Sequence, residues 1–204
     1  REQGLIRRIA AQVPTVYIGR DLASIGVASV STDDLMGARL ATEHLIGLGH
    51  RRIAHISGGG GAGAARREKS YRAVMAEAGL QPLVHQGHYD IDAGLDAVHQ
   101  LMALPERPSA IFAGNDLVAI GAMNRLFSLG YSVPRDVSVV GFDDIPLASS
   151  STIALSTVRQ PKDEMVARGI DMLSGRIEAA TDQVENLILA PDFVPRHSTA
   201  APAA

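Results

Sequence analysis

Short runs of mostly apolar residues alternate along the chain with longer segments in which apolar residues recur every three or four positions. Four such runs, IAHI, LVHQG, AIFA and VSVVGF, begin at Ile53, Leu83, Ala110 and Val137 and follow one another at nearly constant spacing. Runs of this length predict buried strands, whereas the segments between them have the periodicity of helices. Strands that alternate with helices indicate βαβ crossovers and therefore a parallel sheet covered by helices on both faces.

A further helix is predicted ahead of the first of these strands, because apolar residues there fall on one helical face. The positions predicted to be buried are Leu35, Ala38, Ala41, Leu45 and Leu48. Three of the predicted helices end near a glycine, which is the preferred residue for a left-handed C-terminal cap. These glycines are Gly49, Gly79 and Gly130.

Two flanking regions lie outside the run of alternating strands and helices. Before it, TVYIG and GVASVSTD have the composition of strands. After it, LSTVRQP precedes a helical segment, KDEMVARGIDMLSGRI, and a further strand, NLILAP. This order predicts a chain that leaves one lobe, builds a second and returns to the first. The chain begins with Arg1 in a segment typical of the end of a helix, so we expect a piece of a longer polypeptide.

Composition and charge argue against several kinds of site. The net charge is −3 and no basic cluster is present, which argues against direct binding of nucleic-acid phosphates by this segment. Because the chain contains no cysteine, disulfide bonds and thiolate metal sites are excluded. No apolar run is long enough to span a membrane, and no signal peptide is evident. We therefore expect no membrane association.

The glycine block after the first predicted strand raises the question of a dinucleotide site. Gly58, Gly60 and Gly63 satisfy G-x-G-x-x-G between a strand and a helix, which is the context of a pyrophosphate-binding loop. The acidic residue that would bind the ribose about 20 residues later is missing, since Gln86 and His88 occupy that region. Consecutive glycines also match any such spacing by chance. The alternative interpretation is a flexible turn at the edge of a sheet, where α/β proteins bind ligands.

Polar pairs follow two other predicted strands. Asn115 and Asp116 lie between a strand and a helix, where either can cap the helix, so we expect one to cap it and the other to stay free. Asp143 and Asp144 follow the next strand. Their side chains should point in opposite directions, so no joint catalytic role is expected. One of these carboxylates suits hydrogen bonds to the hydroxyl groups of a ligand.

Basic and aromatic residues add to the candidates. Arg66, Arg67 and Lys69 begin the helix after the glycine block, and they are either a solvated face or the source of one ligand-binding arginine. Tyr89 follows another predicted strand and is either a core residue or a ring that packs on a ligand. No His-Glu-x-x-His or Gly-x-Ser-x-Gly motif occurs, so neither a metal site nor a catalytic residue is predicted. We therefore do not expect an enzyme.

Four longer phrases resemble one protein family. They are DDLMGARLATEHLIGLGHRRIAHISG, PSAIFAGNDLVAIGAM, GYSVPRDVSVVGFDDIPLASSSTIALSTVRQP and the closing VPRHSTA. Together they resemble the effector-binding region of the LacI/GalR (lactose-repressor) family of transcriptional regulators. The resemblance implies a helix-turn-helix DNA-binding head followed by two periplasmic-binding-protein-like lobes. These are Rossmann-like α/β lobes with parallel sheets, joined by three crossovers, and a small effector binds in the cleft between them.

The resemblance also implies domain boundaries. Residues 1–31 and 159–193 would form the proximal lobe, nearer the DNA-binding head. Residues 32–158 and 194–204 would form the distal lobe. The first strands and helices of the proximal lobe do not occur in the sequence, so we expect that lobe to be incomplete.

The effector-binding residues are implied by the same resemblance. The positions that match the family's effector contacts are Arg67, Tyr89, Asn115, Asp143 and Gln160. The glycine block then corresponds to a loop that approaches the effector closely. No cofactor and no metal are expected.

We thus expect the effector-binding and dimerisation region of a cytoplasmic, homodimeric transcriptional regulator. Its partners would be a small polar effector, with a sugar favoured, and operator DNA bound through the head that this chain lacks. Two alternatives stay open. A periplasmic sugar-binding receptor of a transport system would share the lobes but would carry a signal peptide. A nucleotide-dependent enzyme would use the glycine block.

Overall fold

The computed structural model describes residues 2–178 and 184–203. The helices in this part of the chain are α1 (Glu2–Ala10), α2 (Asp34–Gly47), α3 (Ala62–Glu77), α4 (Ile91–Leu101), α5 (Asp116–Ser128) and α6 (Lys162–Glu178). The strands are β1 (Val16–Ile18), β2 (Ala28–Thr32), β3 (Ile53–Ser57), β4 (Leu83–Gln86), β5 (Ala110–Ala113), β6 (Ser138–Asp143), β7 (Ser156–Arg159), β8 (Asn186–Leu189) and β9 (Asp192–Val194). The predicted strands and helices are all present, and β9 is an addition that the sequence pattern did not predict.

The chain forms two compact units. The smaller unit comprises Arg1–Asp33 and Pro161–Pro191, and the larger unit comprises Asp34–Gln160 and Asp192–Ala204. The chain therefore passes from one unit to the other three times. The assignment of these units to lobes nearer to and farther from a DNA-binding head stays a prediction.

The smaller unit is built on a three-stranded parallel sheet in the order β1-β2-β8. Helix α6 packs on this sheet at Gly169, where an added Cβ would lie 2.7 Å from Cδ1 of Ile18. Much of its apolar surface is uncovered in the described chain. The exposed large apolar residues on this unit are Leu5, Ile9, Val13, Ile18, Val166, Ile170, Ile177, Val184 and Ile188.

The larger unit contains a six-stranded sheet in the order β4-β3-β5-β6-β7-β9. All neighbouring pairs are parallel except β7 and β9, which are antiparallel. Apolar side chains from both faces of the sheet form two cores. One contains Ile56, Ile111 and Met123, and the other contains Tyr71 and Phe112. The near-continuous apolar strands are explained by this burial on both faces.

Helix α2 buries most of the face predicted for it, since Ala38, Ala41 and Leu45 are buried as expected. Its buried residues are Gly37, Ala38, Ala41, Thr42 and Leu45. The prediction was wrong for Leu35, which is 41% exposed, and Leu48 lies beyond the helix and is half-buried. Small residues carry the contact because the ring of Phe142 lies against the helix, 2.6 Å from the position of a Cβ at Gly37.

The predicted glycine caps are confirmed, since Gly49, Gly79 and Gly130 have φ of 99°, 68° and 83°. Helices α4 and α5 approach each other through glycine as well. A Cβ at Gly121 would overlap the backbone carbonyl oxygen of Ile91, where α4 begins. No helix in the described chain is both long and apolar enough to cross a membrane.

The C-terminal tail completes the larger unit at the amino ends of its strands. Ser198 receives a hydrogen bond from Ser156 N at 2.7 Å and donates to Val139 O at 2.6 Å. The buried imidazole of His50 lies 2.9 Å from Ala200 O and 2.8 Å from Ser109 Oγ. Burial lowers the pKa of His50, so the ring binds the tail as a neutral group near pH 7.

Candidate functional site

The carboxyl ends of the parallel strands in the larger unit gather polar side chains from separate parts of the sequence. Tyr89 follows β4, Asn115 follows β5, Asp143 ends β6 and Gln160 follows β7. Arg67 reaches this edge from α3. Because the strands are parallel, their carboxyl ends meet at one side of the sheet, which is where open α/β sheets bind ligands. We call this group of residues the carboxyl edge.

Arg67 lies at the centre of the carboxyl edge and is only 8% exposed. Its Nε donates to Asp34 Oδ1 at 2.8 Å, and its Nη1 donates to Gly114 O at 2.6 Å. Asp143 Oδ1 lies 3.9 Å from the same Nη1. Arg66, its neighbour, is half-buried and lies on a different side of the helix. The inward-facing arginine is therefore Arg67.

Two aromatic rings lie near the Arg67 guanidinium. Its Cζ lies 3.5 Å from the ring centroid of Phe142 and 5.7 Å from that of Tyr89. Phe142 is fully buried, so it supports the guanidinium from the core, whereas Tyr89 is 36% exposed. Cation–π contacts of this kind orient an arginine without using its hydrogen-bond donors.

The glycine block contains two positions that require glycine and two that do not. A Cβ at Gly58 would overlap the Tyr89 ring. Gly59 has φ of 85°, and a Cβ there would lie 2.9 Å from Gly87 O. Nothing lies within 4 Å of a Cβ built at Gly60 or Gly61. The first two glycines of the block therefore leave space for the Tyr89 ring and for the backbone at Gly87.

Asn115 and Asp116 do not divide their roles as predicted. Asn115 caps α5 by accepting from Val118 N at 2.9 Å, and its Nδ2 lies 3.5 Å from Tyr89 O. Asp116 does not stay free, so that expectation was wrong. It is fully buried, and its carboxylate accepts from Thr157 Oγ1 at 2.5 Å and from Ile145 N at 2.8 Å. Burial raises the pKa of Asp116 to about 6.

The space for this carboxylate explains why Asp116 turns inward. A Cβ at Gly141 would overlap Asp116 Oδ1, so the missing side chain on β6 makes room for it. The sequence signal was the glycine in VVGFDD, which lies opposite the start of α5 only once the sheet is assembled.

Asp143 and Asp144 point in different directions. Asp143 Oδ1 accepts from Gln160 Nε2 at 2.6 Å. Asp144 pairs with Arg159 Nε at 2.7 Å and with Arg196 Nη2 at 2.6 Å. Burial is the largest single influence on the pKa of Asp144 and raises it. The two guanidinium groups together outweigh burial, so the pKa of Asp144 is lowered. Asp143 therefore belongs to the carboxyl edge and Asp144 to a structural ion pair.

Asp34 is a member of the site that the sequence analysis did not identify. It begins α2 and is paired with Arg67. Its position at a helix start, after a strand, is typical of residues that stabilise helix N-termini. The same order of strand, aspartate and helix occurs at Asp116, and this was the available signal.

The carboxyl edge thus offers one guanidinium, two carboxylates, two amides and an aromatic ring. This set can donate to and accept from hydroxyl groups and can pack against an apolar face of a ligand. Within residues 2–178 and 184–203, no three histidine, aspartate or glutamate side chains come together in a way that could hold a metal ion.

Comparison with known proteins identifies the family. The periplasmic binding protein-like domain family matches residues 42–199. A LacI transcriptional regulator from a Rhodococcus species superimposes with a TM-score of 0.93 and is 34% identical, over 98% of this chain and 75% of that one. The chain belongs to the LacI family of transcriptional regulators. The family and the α/β, periplasmic-binding-protein-like fold predicted from the sequence are thus confirmed.

Two of the similar proteins are associated with a sugar, one by its name and one by the ligand bound in its structure. The ribose operon repressor of Escherichia coli strain K12 is 42% identical over 199 residues, which cover 94% of this chain and 60% of that protein. A LacI-family regulator from Enterococcus faecium with bound ribose has a TM-score of 0.82 and 25% identity, over 92% of this chain. The chain therefore spans about three fifths of the length of the ribose operon repressor that it matches.

Proposed function

We propose that this chain is the effector-binding region of a LacI-family regulator, and that a neutral sugar binds at the carboxyl edge of the larger unit. The observation that carries the proposal is the buried Arg67 guanidinium, which lies beside Asp34 and Asp143 and near the partly exposed ring of Tyr89. In this proposal, Arg67, Tyr89, Asn115, Asp143 and Gln160 contact the effector, as the sequence predicted, and Asp34 joins them.

The chemistry of these groups suits a sugar. Neighbouring hydroxyl groups of a sugar can accept from a guanidinium and donate to a carboxylate at the same time. Among the described residues, the hydrogen bonds of Arg67 use Nε and Nη1, so the donors of Nη2 are available to a ligand. The ring of Tyr89 can pack on the carbon–hydrogen face of the sugar.

The charges favour a neutral sugar over an anionic one. One guanidinium, from Arg67, faces two carboxylates, from Asp34 and Asp143, so the formal charge of this cluster is negative. A phosphate or carboxylate on the ligand would be repelled by the carboxylates and would compete with them for the Arg67 guanidinium. The relative named ribose operon repressor and the neighbour with bound ribose make D-ribose the first sugar to test.

Titration calorimetry of the chain with D-ribose and with D-ribose 5-phosphate tests the ligand class. We expect D-ribose to bind, and D-ribose 5-phosphate to bind at least about tenfold more weakly, because the added charge is unfavourable at this edge. If neither D-ribose nor any other neutral sugar in a panel of pentoses and hexoses binds, the proposal is wrong. A melting temperature raised by NAD would instead support the dinucleotide alternative.

The regulatory part of the proposal concerns the whole protein. We propose a homodimeric, cytoplasmic regulator without catalytic activity, in which a helix-turn-helix head outside this chain binds operator DNA. Effector and operator must then change each other's affinity by the same factor. Sequencing the gene upstream of the codon for Arg1 tests this part. A helix-turn-helix segment supports it, whereas a signal peptide would assign the chain to a periplasmic receptor.

Replacing Gly58 by alanine should weaken sugar binding. The added methyl group overlaps the Tyr89 ring, which must move away from its place beside Arg67. We expect the dissociation constant to rise about tenfold, the usual effect of a misplaced contact group. Calorimetry checks this value, and Gly60→Ala is the matched control, because nothing lies within 4 Å of its added Cβ. Equal affinities of the two variants would show that the position of Tyr89 does not matter for binding.

A further inference from the structure

Asp116 is a buried ionisable group that the proposed effector contacts do not use. Its side chain is fully buried at the start of α5, directly after the effector-contact candidate Asn115. A buried carboxyl group is costly unless its oxygens are hydrogen-bonded. Both carboxylate oxygens of Asp116 accept a hydrogen bond, one from the segment after β6 and one from β7.

The two hydrogen bonds connect three chain segments, each of which carries a proposed effector contact. Oδ2 accepts from the amide of Ile145, two residues after Asp143. Oδ1 accepts from the hydroxyl of Thr157 on β7, three residues before Gln160. Asp116 itself follows Asn115. A single side chain thus links the segments that present Asn115, Asp143 and Gln160.

The turn at the end of β6 needs such a link because its backbone is strained. Asp143 has φ of 117° and Asp144 has φ of 49°, values that residues with side chains rarely adopt. Such conformations persist only where surrounding contacts hold them. The amide of Ile145 is the first backbone donor after these two residues, and its partner is the Asp116 carboxylate.

We propose that Asp116 is a positioning residue. Its hydrogen bonds fix the strained turn at Asp143 and Asp144, so that the Asp143 carboxylate stays beside Arg67 and Gln160. This inference rests on the proposed function, because it assumes that the effector binds at the carboxyl edge. Asp116 does not contact the effector and acts only through the turn and through β7.

Two substitutions at Asp116 separate positioning from charge. Asp116→Asn keeps the shape, and its amide can accept from the Ile145 N–H through Oδ1 and donate to Thr157 Oγ1 through Nδ2. Asp116→Ala removes both hydrogen bonds. We expect Asp116→Ala to raise the dissociation constant for D-ribose about tenfold or more, and Asp116→Asn to bind within about threefold of the unsubstituted chain. Both are measured by calorimetry at a temperature well below the melting transition of each variant.

Amide hydrogen exchange of the segment 143–147 gives a second readout that needs no ligand. Asp116→Ala should exchange faster there, by about tenfold at the Ile145 amide, while the rest of the larger unit keeps its protection. Asp116→Asn should retain protection. The matched control is Asp136→Ala, because Asp136 also accepts from a backbone amide, that of Ser132 at 2.6 Å, in a loop away from this edge.

The outcomes distinguish this proposal from the proposed function. Unchanged D-ribose affinity in Asp116→Ala, with binding intact in the unsubstituted chain, overturns the positioning role alone. If the unsubstituted chain binds no sugar, the proposed function fails, and the exchange measurement decides whether Asp116 fixes the turn. Unchanged protection of the Ile145 amide in Asp116→Ala would show that Asp116 does not fix the turn. Should Asp116→Ala fail to fold, Asp116→Ser replaces it, because its hydroxyl is too short to reach Ile145.

Discussion

Replacing Arg67 by alanine should cost about 1.5–3 kcal/mol of sugar-binding free energy, or roughly tenfold to a hundredfold in affinity. Two effects contribute. The variant lacks the charged donors that a sugar hydroxyl would use, and it leaves the carboxylates of Asp34 and Asp143 without the guanidinium that now lies between them. Titration calorimetry with D-ribose measures the change directly.

Arg72→Ala is the matched control for this substitution. Arg72 lies on the same helix but pairs with Glu68 on an exposed face, where a single ion pair contributes little. Its loss should leave the affinity for D-ribose within about twofold, because it removes the same side chain without touching the carboxyl edge. A dissociation constant that stays the same in Arg67→Ala would remove Arg67 from the site, and with it the main support for the proposed function.

The largest expected effect on stability comes from Gly121→Ala. The added methyl group would overlap the carbonyl oxygen of Ile91, which belongs to the backbone of the neighbouring helix and cannot rotate away. Helices α4 and α5 must then separate along a contact that Gly94 also makes close, because a Cβ there would overlap Val118 O. We expect a loss of about 3 kcal/mol in the free energy of unfolding.

Thermal unfolding checks this value, since a loss of that size lowers the melting temperature of a domain of this length by about 6–12 °C. Gly47→Ala provides the control. Gly47 is likewise a glycine in a helix of the larger unit, but nothing lies within 4 Å of a Cβ added to it. Because alanine favours a helix over glycine by up to about 1 kcal/mol, this control should not lose stability. If Gly121→Ala is as stable as Gly47→Ala, the close contact of α4 and α5 is not tight.

The regular part of the fold could be predicted because burial on both faces leaves a clear signal. AIFA is apolar throughout and IAHI is apolar except for the buried His55, and the glycines that end three helices mark their limits. β9 left no such signal. It spans only Asp192–Val194, and its partner β7 lies more than 30 residues earlier, so the pairing depends on contacts that no local pattern contains.

The site was only partly predictable for the same reason. The place after the glycine block marked Arg66, Arg67 and Lys69 as candidates, and the resemblance to the LacI/GalR family singled out Arg67, which the structure places facing inward. Asp34 resembled a helix-stabilising residue, and only the assembled structure brings it to 2.8 Å from Arg67. Phe142 is a further example, because an apolar residue at a strand end gives no indication that its ring supports a guanidinium.

The antiparallel edge strand has a consequence for the order of events during synthesis. β7 is complete once Arg159 has been made, but the strand that pairs with its outer edge comes only after the second segment of the smaller unit. Until the ribosome has released Val194, that edge is open and can pair with strands of other chains. The larger unit must therefore wait for the second segment of the smaller unit before its sheet can close, and this nascent edge needs protection from other chains during that interval.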